Sequence, residues 1–401
     1  MTVAGVIAEY NPFHRGHAWQ LGEIRRRLGA DAGIVICMSG NFVQRGDFAL
    51  LNKHARAEMA LEGGADLVLE LPTPWACAGA ERFAQGGVAA LAGAGVVTHL
   101  AFGSECGDLE LLSAAADVLE DPVYDAGLVR FTGEGMTFAA ARQAAAGVLL
   151  ERRGKGEAVG CLARPNDILA VEYLWALRGT GLRPMALPRI GAAHDSREES
   201  EYPSASAVRE TLRRGGDWRE MLPETSVRIL SREIEAGRAP VFLENCQRAV
   251  LARLRRMGEE DFLPYDGGNE GLYHRFYSVV HSAVSVEEIL QAAKTKRYPL
   301  ARLRRMLLQS YLGVPQAAQG ETPPYLRVLG ANGRGRELLG RMRKEASLPV
   351  VTKPGHVRRL GAEAQRIFDL EARCTDLYVL ACPALEAAGP EREYRVGPVM
   401  V

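Results

Sequence analysis

The chain has 401 residues, of which 47% are hydrophobic and 24% charged, and its 49 basic side chains balance its 49 acidic ones. This composition excludes a chain that is disordered throughout, because folding can bury enough apolar surface to offset the lost conformational entropy. It also excludes a membrane-spanning helix, since charged residues, glycine or proline interrupt every apolar run before it reaches about 20 residues.

The cysteines and the N-terminus indicate the compartment. The seven cysteines include no CxxC pair, so we expect neither a disulfide framework nor a metal site. Small buried thiols are typical of a reducing compartment, and the first residues lack the basic region of a signal peptide. We therefore expect a cytoplasmic protein that does not associate with a membrane.

Short apolar runs alternate with helical patterns along residues 1–216. The predicted strands are Val3–Ala8, 33–38, 66–71, 96–102 and 184–188. Strands separated by helices are typical of βαβ units, whose parallel strands form a sheet covered on both faces. The pattern therefore predicts an α/β domain with a parallel sheet over residues 1–216.

The pattern changes at residue 217. Helical periodicity with little strand content continues to residue 314, which predicts a helical region. Beyond it, the predicted strands are 326–329, 348–352 and 377–380, and the predicted helices are 334–345 and 361–370. We expect a small α+β region over residues 315–401.

Positive charge is concentrated in residues 294–344, which hold 12 Lys and Arg side chains against two acidic ones. Such a stretch is typical of a surface that binds a polyanion. On the predicted helix 300–312, Arg302, Arg305 and Gln309 share one face. We predict that this region binds nucleic acid, although a solvated helical face would show the same pattern.

The stretch Glu9–His17, EYNPFHRGH, directly follows the first strand and opens the first helix. Ligands of open α/β sheets bind at the carboxyl ends of the strands, and a helix N-terminus favours phosphate. We predict that Asn11 and Pro12 cap the helix and that His14 and His17 donate hydrogen bonds to phosphoryl oxygens. A metal-binding pair and two surface histidines are the alternatives.

The HxGH spacing resembles that of the nucleotidyltransferase superfamily, whose members bind ATP and open its α–β phosphate bond. Ser204–Arg209, SASAVR, resembles a second element of that superfamily, in which hydroxyl groups and an arginine contact phosphate. The resemblance implies that Ser204 and Arg209 act in catalysis together with His14 and His17. Ser204 also suits a helix N-cap, and both roles can hold together.

A closer resemblance covers nearly the whole chain. The blocks that carry it are VIAEYNPFHRGH, MSGNFVQRGDFALLNKHARAEMAL, GADLVLELP, FGSE, RPNDILAVEYL, PRIGAAH, SASAVRE, EGLYHRF and TKRYPLARLRRMLL. Their order and spacing are similar to those of the bacterial tRNA(Met) cytidine acetate ligase family. The resemblance implies a Rossmann-like nucleotidyltransferase (HUP-type) fold. It also implies that acetate and ATP form acetyl-adenylate, which acetylates the exocyclic amine of the wobble cytidine of elongator tRNA(Met) to N4-acetylcytidine.

The same resemblance implies an ATP site. Its residues are Val6, Ile7, Ala8, Glu9, Tyr10, Asn11, Pro12, Phe13, His14, Arg15, Gly16, His17, Ala18, Trp19, Gly103, Asn166, Arg189 and Ile190. From the sequence alone, Gly103 also suits a turn, Asn166 a helix N-cap and Arg189 a surface ion pair. Mg²⁺ is a possible companion of ATP.

The tRNA contacts are expected in the basic stretch, at Lys294, Lys296, Arg297, Arg302 and Arg305. A long polar segment, residues 39–53, follows the second strand, and we predict that it closes over the site as a lid.

Two other functions fit parts of the sequence. A small-molecule adenylyltransferase would need only residues 1–216, and a non-catalytic RNA-binding protein with this fold would not need His14, His17 or SASAVR intact.

Overall fold

The computed structural model describes residues 1–189, 203–268 and 271–401. The strands in these residues are β1 (Val3–Ala8), β2 (Gly33–Ser39), β3 (Phe42–Val43), β4 (Asp47–Phe48), β5 (Leu67–Leu71), β6 (His99–Ser104), β7 (Arg183–Pro188), β8 (Leu326–Ala331), β9 (Val350–Val351) and β10 (Val399–Met400). Eight of them form one sheet in the order β10-β8-β5-β2-β1-β6-β7, with β9 paired to β8, while β3 and β4 form a separate hairpin.

Helices connect these strands and cover the sheet. They are α1 (Arg15–Leu28), α2 (Lys53–Glu62), α3 (Thr73–Ala76), α4 (Ala80–Gly93), α5 (Leu109–Asp117), α6 (Pro122–Gly133), α7 (Phe138–Arg152), α8 (Pro165–Ala176), α9 (Ala205–Arg213), α10 (Glu224–Glu235), α11 (Gln247–Leu254), α12 (Leu272–Val280), α13 (Val286–Ala293), α14 (Leu300–Leu312), α15 (Gly333–Glu345), α16 (Ala362–Val379) and α17 (Arg392–Arg395). Within the described ranges, we find no helix with the length and apolar character needed to cross a bilayer.

The centre of the sheet is parallel. β1 pairs with β2 along its whole length and with β6 on its other side, and β6 pairs with β7. All residues of β2 and β5 are buried, as expected for parallel strands covered by helices on both faces. The predicted α/β fold is therefore confirmed, and the carboxyl ends of β1, β6 and β7 meet at one edge.

The C-terminal segment completes this sheet. β8 pairs antiparallel to β5, and β9 and β10 pair parallel to β8. Strands on both sides of the predicted boundary at residue 315 therefore belong to one sheet. The sequence could not show this, because strand pairing over a long sequence separation leaves no trace in local periodicity. The strand predicted at 377–380 is wrong, since α16 continues to Val379 and buries Tyr378 on one helical face.

A buried network of charges joins the C-terminal segment to the sheet. The Lys53 ammonium lies 2.7 Å from a carboxylate oxygen of Glu70 and 2.7 Å from one of Glu393. Arg327 on β8 pairs with Glu393 at 3.3 Å, and the Glu371 carboxylate on α16 accepts hydrogen bonds from Thr73. Each of these side chains is nearly inaccessible to water.

The helical region has an apolar core that extends into the rest of the molecule. Phe262 and Phe276 pack there with Leu303 of α14, and Phe42 and Phe48 of the β3–β4 hairpin belong to the same cluster. The helices of residues 217–314 are thus packed onto the hairpin that follows β2. This contact brings α14 to the edge of the sheet where the strands end.

Candidate active site

A cavity of about 520 Å³ lies at the carboxyl ends of β1, β6 and β7. Its described lining residues come from β1 and the turn that follows it, from the β3–β4 hairpin, and from α4, α8, α9 and α14. Glu9 is the one carboxylate among these lining residues, whereas Arg45, Arg189 and Arg305 supply positive charge. The balance of charge favours an anionic ligand.

His14 and His17 line the cavity at the start of α1. His14 is the N-cap, and its Nδ1 accepts a hydrogen bond from the Gly16 amide at 3.1 Å. The His14 amide in turn donates to Nδ1 of His17 at 3.2 Å. Because both Nδ1 atoms accept, each neutral ring carries its proton on Nε2 and can donate it to a ligand.

The two rings are held in a fixed arrangement. They stack with centroids 3.6 Å apart, and Tyr10 and Phe13 pack against His17 at 4.7 and 5.6 Å. A Cβ atom at position 16 would lie 3.0 Å from His14 Cε1, which explains the glycine between the histidines. The spacing in HxGH therefore serves both the cap and the stack.

The predicted caps of α1 are wrong. Asn11 and Pro12 precede the helix, which begins at Arg15 with His14 as its cap. The buried Asn11 side chain instead accepts hydrogen bonds from the Leu50 amide at 2.7 Å and from Arg209 at 3.1 Å. A histidine side chain can replace the usual Asn or Ser because its Nδ1 is also an acceptor.

Only part of the predicted segment Val6–Trp19 reaches the cavity. The lining residues from it are Ile7, Ala8, Glu9, Tyr10, Asn11, His14, Gly16, His17 and Trp19. Val6 and Phe13 belong to the hydrophobic core, and Pro12, Arg15 and Ala18 are not among the lining residues. The turn and the helix direct some of the side chains of this continuous segment away from the cavity.

Gly103, Asn166 and Arg189 meet at the β6–β7 side of the cavity. A Cβ atom at position 103 would lie 3.3 Å from Arg189 Cγ, so the glycine leaves room for the arginine. Burial lowers the pKa of Arg189, and the charges of Glu105 and Arg45 act on it in opposite directions. The positive charges of Arg45 and Arg189 repel each other inside one cavity, which favours an anion between them.

Asn166 is fixed by a residue that the sequence analysis did not single out. The Glu105 carboxylate accepts from the Asn166 side-chain amide at 2.5 Å and from the Asp167 amide at 2.9 Å. The N-cap of α8 is Arg164, so Asn166 lies within the first turn and is not the cap. Glu105 ends the block FGSE, and an acid directly after the end of a strand was the available signal.

The β3–β4 hairpin contributes Gln44 and Arg45 to the cavity. The Gln44 amide donates to Glu9 Oε1 at 2.8 Å. Phe42 and Phe48 are fully buried and pack with Tyr378. The prediction that the whole segment 39–53 is a lid is therefore wrong, since its aromatic side chains anchor it and only its tip faces the cavity.

The SASAVR segment is divided between the cavity and the protein interior. Ser204 lines the cavity and caps α9, its hydroxyl accepting from the Ala207 amide at 3.1 Å. Arg209 is not among the lining residues; it pairs with Asp47 at 2.7 Å and donates to the Phe48 carbonyl. Arg209 thus ties α9 to the hairpin. Ile190, also predicted for the ATP site, lies outside the described residues.

The residues predicted to bind tRNA occupy two environments. Lys294, Lys296 and Arg297 are exposed in the connection between α13 and α14. Arg302 and Arg305 both donate from Nε to Asp266, at 3.3 and 2.6 Å, and Arg305 lines the cavity.

Gln309, predicted on the same basic face, is buried. Its side chain donates to the Cys77 carbonyl at 2.8 Å. The face of α14 that carries Arg305 and Gln309 therefore turns toward the protein, and the exposed positive charge lies before the helix.

Comparison with known proteins agrees with this architecture. The sequence matches the HIGH Nucleotidyl Transferase family over residues 1–392. It is 35% identical to the tRNA(Met) cytidine acetate ligase of Syntrophomonas wolfei, with 100% of this chain and 99% of that protein aligned. It is 37% identical to the tRNA(Met) cytidine acetate ligase of Thermotoga maritima, with 98% and 99% aligned.

Solved structures give the same result. The crystal structure of Thermotoga maritima TmcAL in its apo form I has a TM-score of 0.95 at 36% identity, and the structure bound with alpha-thio ATP has a TM-score of 0.93 at 36% identity. Both comparisons cover 100% of each chain. The chain is therefore a member of the HIGH nucleotidyltransferase family and, within it, belongs to the tRNA(Met) cytidine acetate ligases.

Proposed function

We propose that this chain is an ATP-dependent ligase that uses acetate to acetylate the wobble cytidine of elongator tRNA(Met), giving N4-acetylcytidine through an acetyl-adenylate. The cavity carries the proposal, because it combines the histidine pair at the start of α1 with arginines from both the sheet and the helical region. One site could therefore hold a nucleotide, a small carboxylate and an incoming base.

The first step joins acetate to the α-phosphate. A carboxylate oxygen attacks the phosphorus in line, a P–O bond forms, and the bond to the β-phosphate breaks as pyrophosphate leaves with the electron pair. Negative charge grows on the phosphate oxygens during this step. The Nε2–H groups of His14 and His17, the N-terminus of α1, and Arg45 and Arg189 supply donors and positive charge for it.

The second step transfers the acetyl group. The cytidine N4 attacks the carbonyl carbon, the C–O bond to the phosphate breaks, and AMP leaves while the amine loses a proton. No covalent enzyme intermediate is required. The contribution of the cavity is to position the amine and to exclude water from the adenylate.

Mg²⁺ suits the phosphate side of this site. It is usually bound by substrate phosphates together with one or two carboxylates, and Glu9 offers a carboxylate on the cavity wall. Glu9 Oε1 already accepts from the Gln44 amide, which fixes the orientation of the side chain. When bound, the ion would neutralise charge on the leaving pyrophosphate.

The exposed residues Lys294, Lys296 and Arg297 precede α14, the helix that carries Ala301 and Arg305 into the cavity. A backbone phosphate bound at these exposed residues would place an unpaired base close to the cavity entrance. We propose this stretch as the tRNA contact. Arg302, held by Asp266, borders it.

The proposal is tested by incubating the purified chain with labelled acetate, ATP and tRNA, and leaving out one component at a time. We expect label in tRNA, and equal amounts of AMP, only when all three are present. ATP turnover with a small-molecule acceptor and no labelled tRNA would favour an adenylyltransferase. Binding of tRNA without any ATP turnover would favour a non-catalytic RNA-binding protein.

A further inference from the structure

One wall of the cavity comes from α14 in the helical region. Ala301 and Arg305 lie one turn apart on this helix, and both line the cavity. The Arg305 side chain is only 13% exposed. A Cβ atom at Gly46, in the hairpin turn, would lie 2.4 Å from the backbone of Arg304 and Arg305, so the hairpin tip rests directly on the helix.

The Arg305 guanidinium is oriented by a buried acid. Its Nε donates to Asp266 Oδ2 at 2.6 Å, and the other Asp266 oxygen accepts from Arg302. Among the described residues, none accepts a hydrogen bond from the two terminal nitrogens of Arg305. With Nε engaged, the guanidinium presents those two nitrogens as a planar pair of donors to the cavity. Such a pair matches the two oxygens of a carboxylate.

The position of Arg305 differs from that of Gly103, Asn166 and Arg189. In the sheet, β1 lies between β2 and β6, so the histidine turn after β1 separates two sides of the cavity. Gly103, Asn166 and Arg189 lie on the β6–β7 side, whereas the hairpin after β2 and α14 form the other side. A group bound by Arg305 would therefore lie beside the hairpin and α14, apart from Gly103, Asn166 and Arg189.

We propose that Arg305, oriented by Asp266, binds the carboxylate of acetate and forms the acyl subsite of this enzyme. The inference deepens the proposed function, on which it rests. Ala301, one turn before Arg305 on α14, lines the same cavity, and its small side chain leaves space for a methyl group. The prediction that Arg305 contacts tRNA is replaced by this role, because its side chain is largely buried while Lys294, Lys296 and Arg297 are exposed.

The same contact serves both steps of the reaction. When one acetate oxygen attacks phosphorus, the other becomes the carbonyl oxygen of the adenylate. Arg305 then hydrogen-bonds this oxygen and stabilises the negative charge that develops on it as the amine attacks. Binding of acetate and polarisation of the acyl group are thus assigned to one side chain.

Steady-state kinetics of Arg305→Gln separate the acyl subsite from a tRNA contact. We expect the KM for acetate to rise at least tenfold, and the KM values for ATP and tRNA to stay within about twofold. Asp266→Asn should raise the KM for acetate in the same direction, with a smaller effect. Arg304→Gln removes the same charge from the adjacent position and should leave the KM for acetate unchanged. A raised KM for tRNA with an unchanged KM for acetate in Arg305→Gln would overturn the proposal.

A binding measurement keeps the test decisive if a variant does not turn over. Line broadening of ¹³C-acetate in the presence of the enzyme and a non-hydrolysable ATP analogue reports acetate binding without catalysis. We expect broadening with the wild type and with Arg304→Gln, and its loss with Arg305→Gln, at unchanged affinity for the analogue. Equal broadening with and without Arg305 would overturn the subsite alone. Arg305-dependent broadening without acetylated tRNA from the wild type would overturn the proposed function alone.

Discussion

At the scale of single residues, the histidine pair combines a structural role in the helix cap with the catalytic role that we propose for it. The Nδ1 atoms of His14 and His17 complete the start of α1, so each neutral ring carries its proton on Nε2. The sequence was sufficient to locate the pair. It could not show which ring nitrogen accepts a hydrogen bond and which carries the proton, because the cap depends on backbone geometry. Glu105 shows the reverse case, since its role depends on α8, which lies about 60 residues away in sequence.

Replacement of His17 tests its role as a phosphate donor. We expect His17→Ala to lower kcat by about 10²–10³-fold, the usual effect of removing one donor to a developing negative charge. The lost cap should cost only about 1 kcal/mol of stability, and tRNA affinity should not change. Pyrophosphate release measures kcat, and filter binding measures the affinity for tRNA.

His281→Ala, at the exposed end of α12, provides the control and should keep the wild-type kcat. A His17→Ala enzyme as active as the wild type would show that the histidine pair only caps the helix.

Glu371 makes the stability of the folded protein depend on pH. Burial raises its pKa from 4.5 to about 8, and the neighbouring negative charge of Glu70 adds to this shift. The carboxyl is thus protonated when folded and loses its proton on unfolding, so its contribution to stability is complete below pH 4.5 and declines up to about pH 8. For Glu393, burial is outweighed by Lys53 and Arg327, which hold the pKa at about 2, so its contribution changes only at lower pH.

We expect the Tm of the wild type to fall between about pH 5 and pH 8, and Glu371→Gln to flatten this decline. The neutral amide has no proton to lose. Its oxygen can accept from the Thr73 amide, and its NH2 group can donate to the Thr73 hydroxyl. Thermal unfolding followed at several pH values measures the difference. Glu363→Gln, exposed on the same helix, should leave the decline unchanged, and a parallel decline in Glu371→Gln would contradict the account.

At the scale of elements, the β3–β4 hairpin connects the sheet to the helical region. Its aromatic residues are buried with Tyr378, Arg209 pairs with Asp47 beside them, and its tip rests on α14. The sequence pattern predicted the central strands, because they are continuous apolar runs. It did not predict this hairpin, because two-residue strands have no periodicity and their contacts come from distant parts of the chain.

Gly46 allows the hairpin tip to approach α14. Its φ of +76° and the 2.4 Å that would separate an added Cβ from the Arg304 carbonyl carbon both exclude a side chain there. We expect Gly46→Ala to lower the Tm and to raise the KM for acetate, because the tip must move away from Arg305. Thermal unfolding and acetate kinetics provide the measurements.

Gly215→Ala isolates the backbone part of this effect, since Gly215 has a φ of +69° and no atom within 4 Å of an added Cβ. That change should cost roughly 1 kcal/mol of stability and leave the kinetics unchanged. Equal effects of the two substitutions would show that the contact with α14 does not position Arg305.

At the scale of the whole molecule, the C-terminal segment packs against the sheet formed by the N-terminal part of the chain. β8 pairs with β5, and Arg327, Glu371 and Glu393 surround Lys53. The sequence indicated strands in this segment but could not show their partner, since the paired strands are more than 250 residues apart. The division into three regions stays a prediction, and strands of the first and third regions pair in one sheet.

Removal of residues 315–401 should therefore prevent cooperative folding. The shortened chain exposes the edge of β5 and leaves Lys53 buried with Glu70 but without Glu393. Circular dichroism during thermal unfolding should show no sharp transition. A chain that ends at residue 396 loses only β10 and should unfold cooperatively, whereas a sharp transition in the shorter chain would identify residues 1–314 as an independent unit.

We propose that one cavity uses ATP and acetate to place an acetyl group on a tRNA cytidine. The most direct test is mass analysis of nucleosides from total bacterial tRNA after incubation with the protein, ATP and ¹³C-acetate. We expect labelled N4-acetylcytidine at the wobble position of elongator tRNA(Met), present with the wild type and strongly reduced with His17→Ala. The absence of labelled cytidine from a folded wild-type protein that binds ATP and tRNA would contradict this proposal.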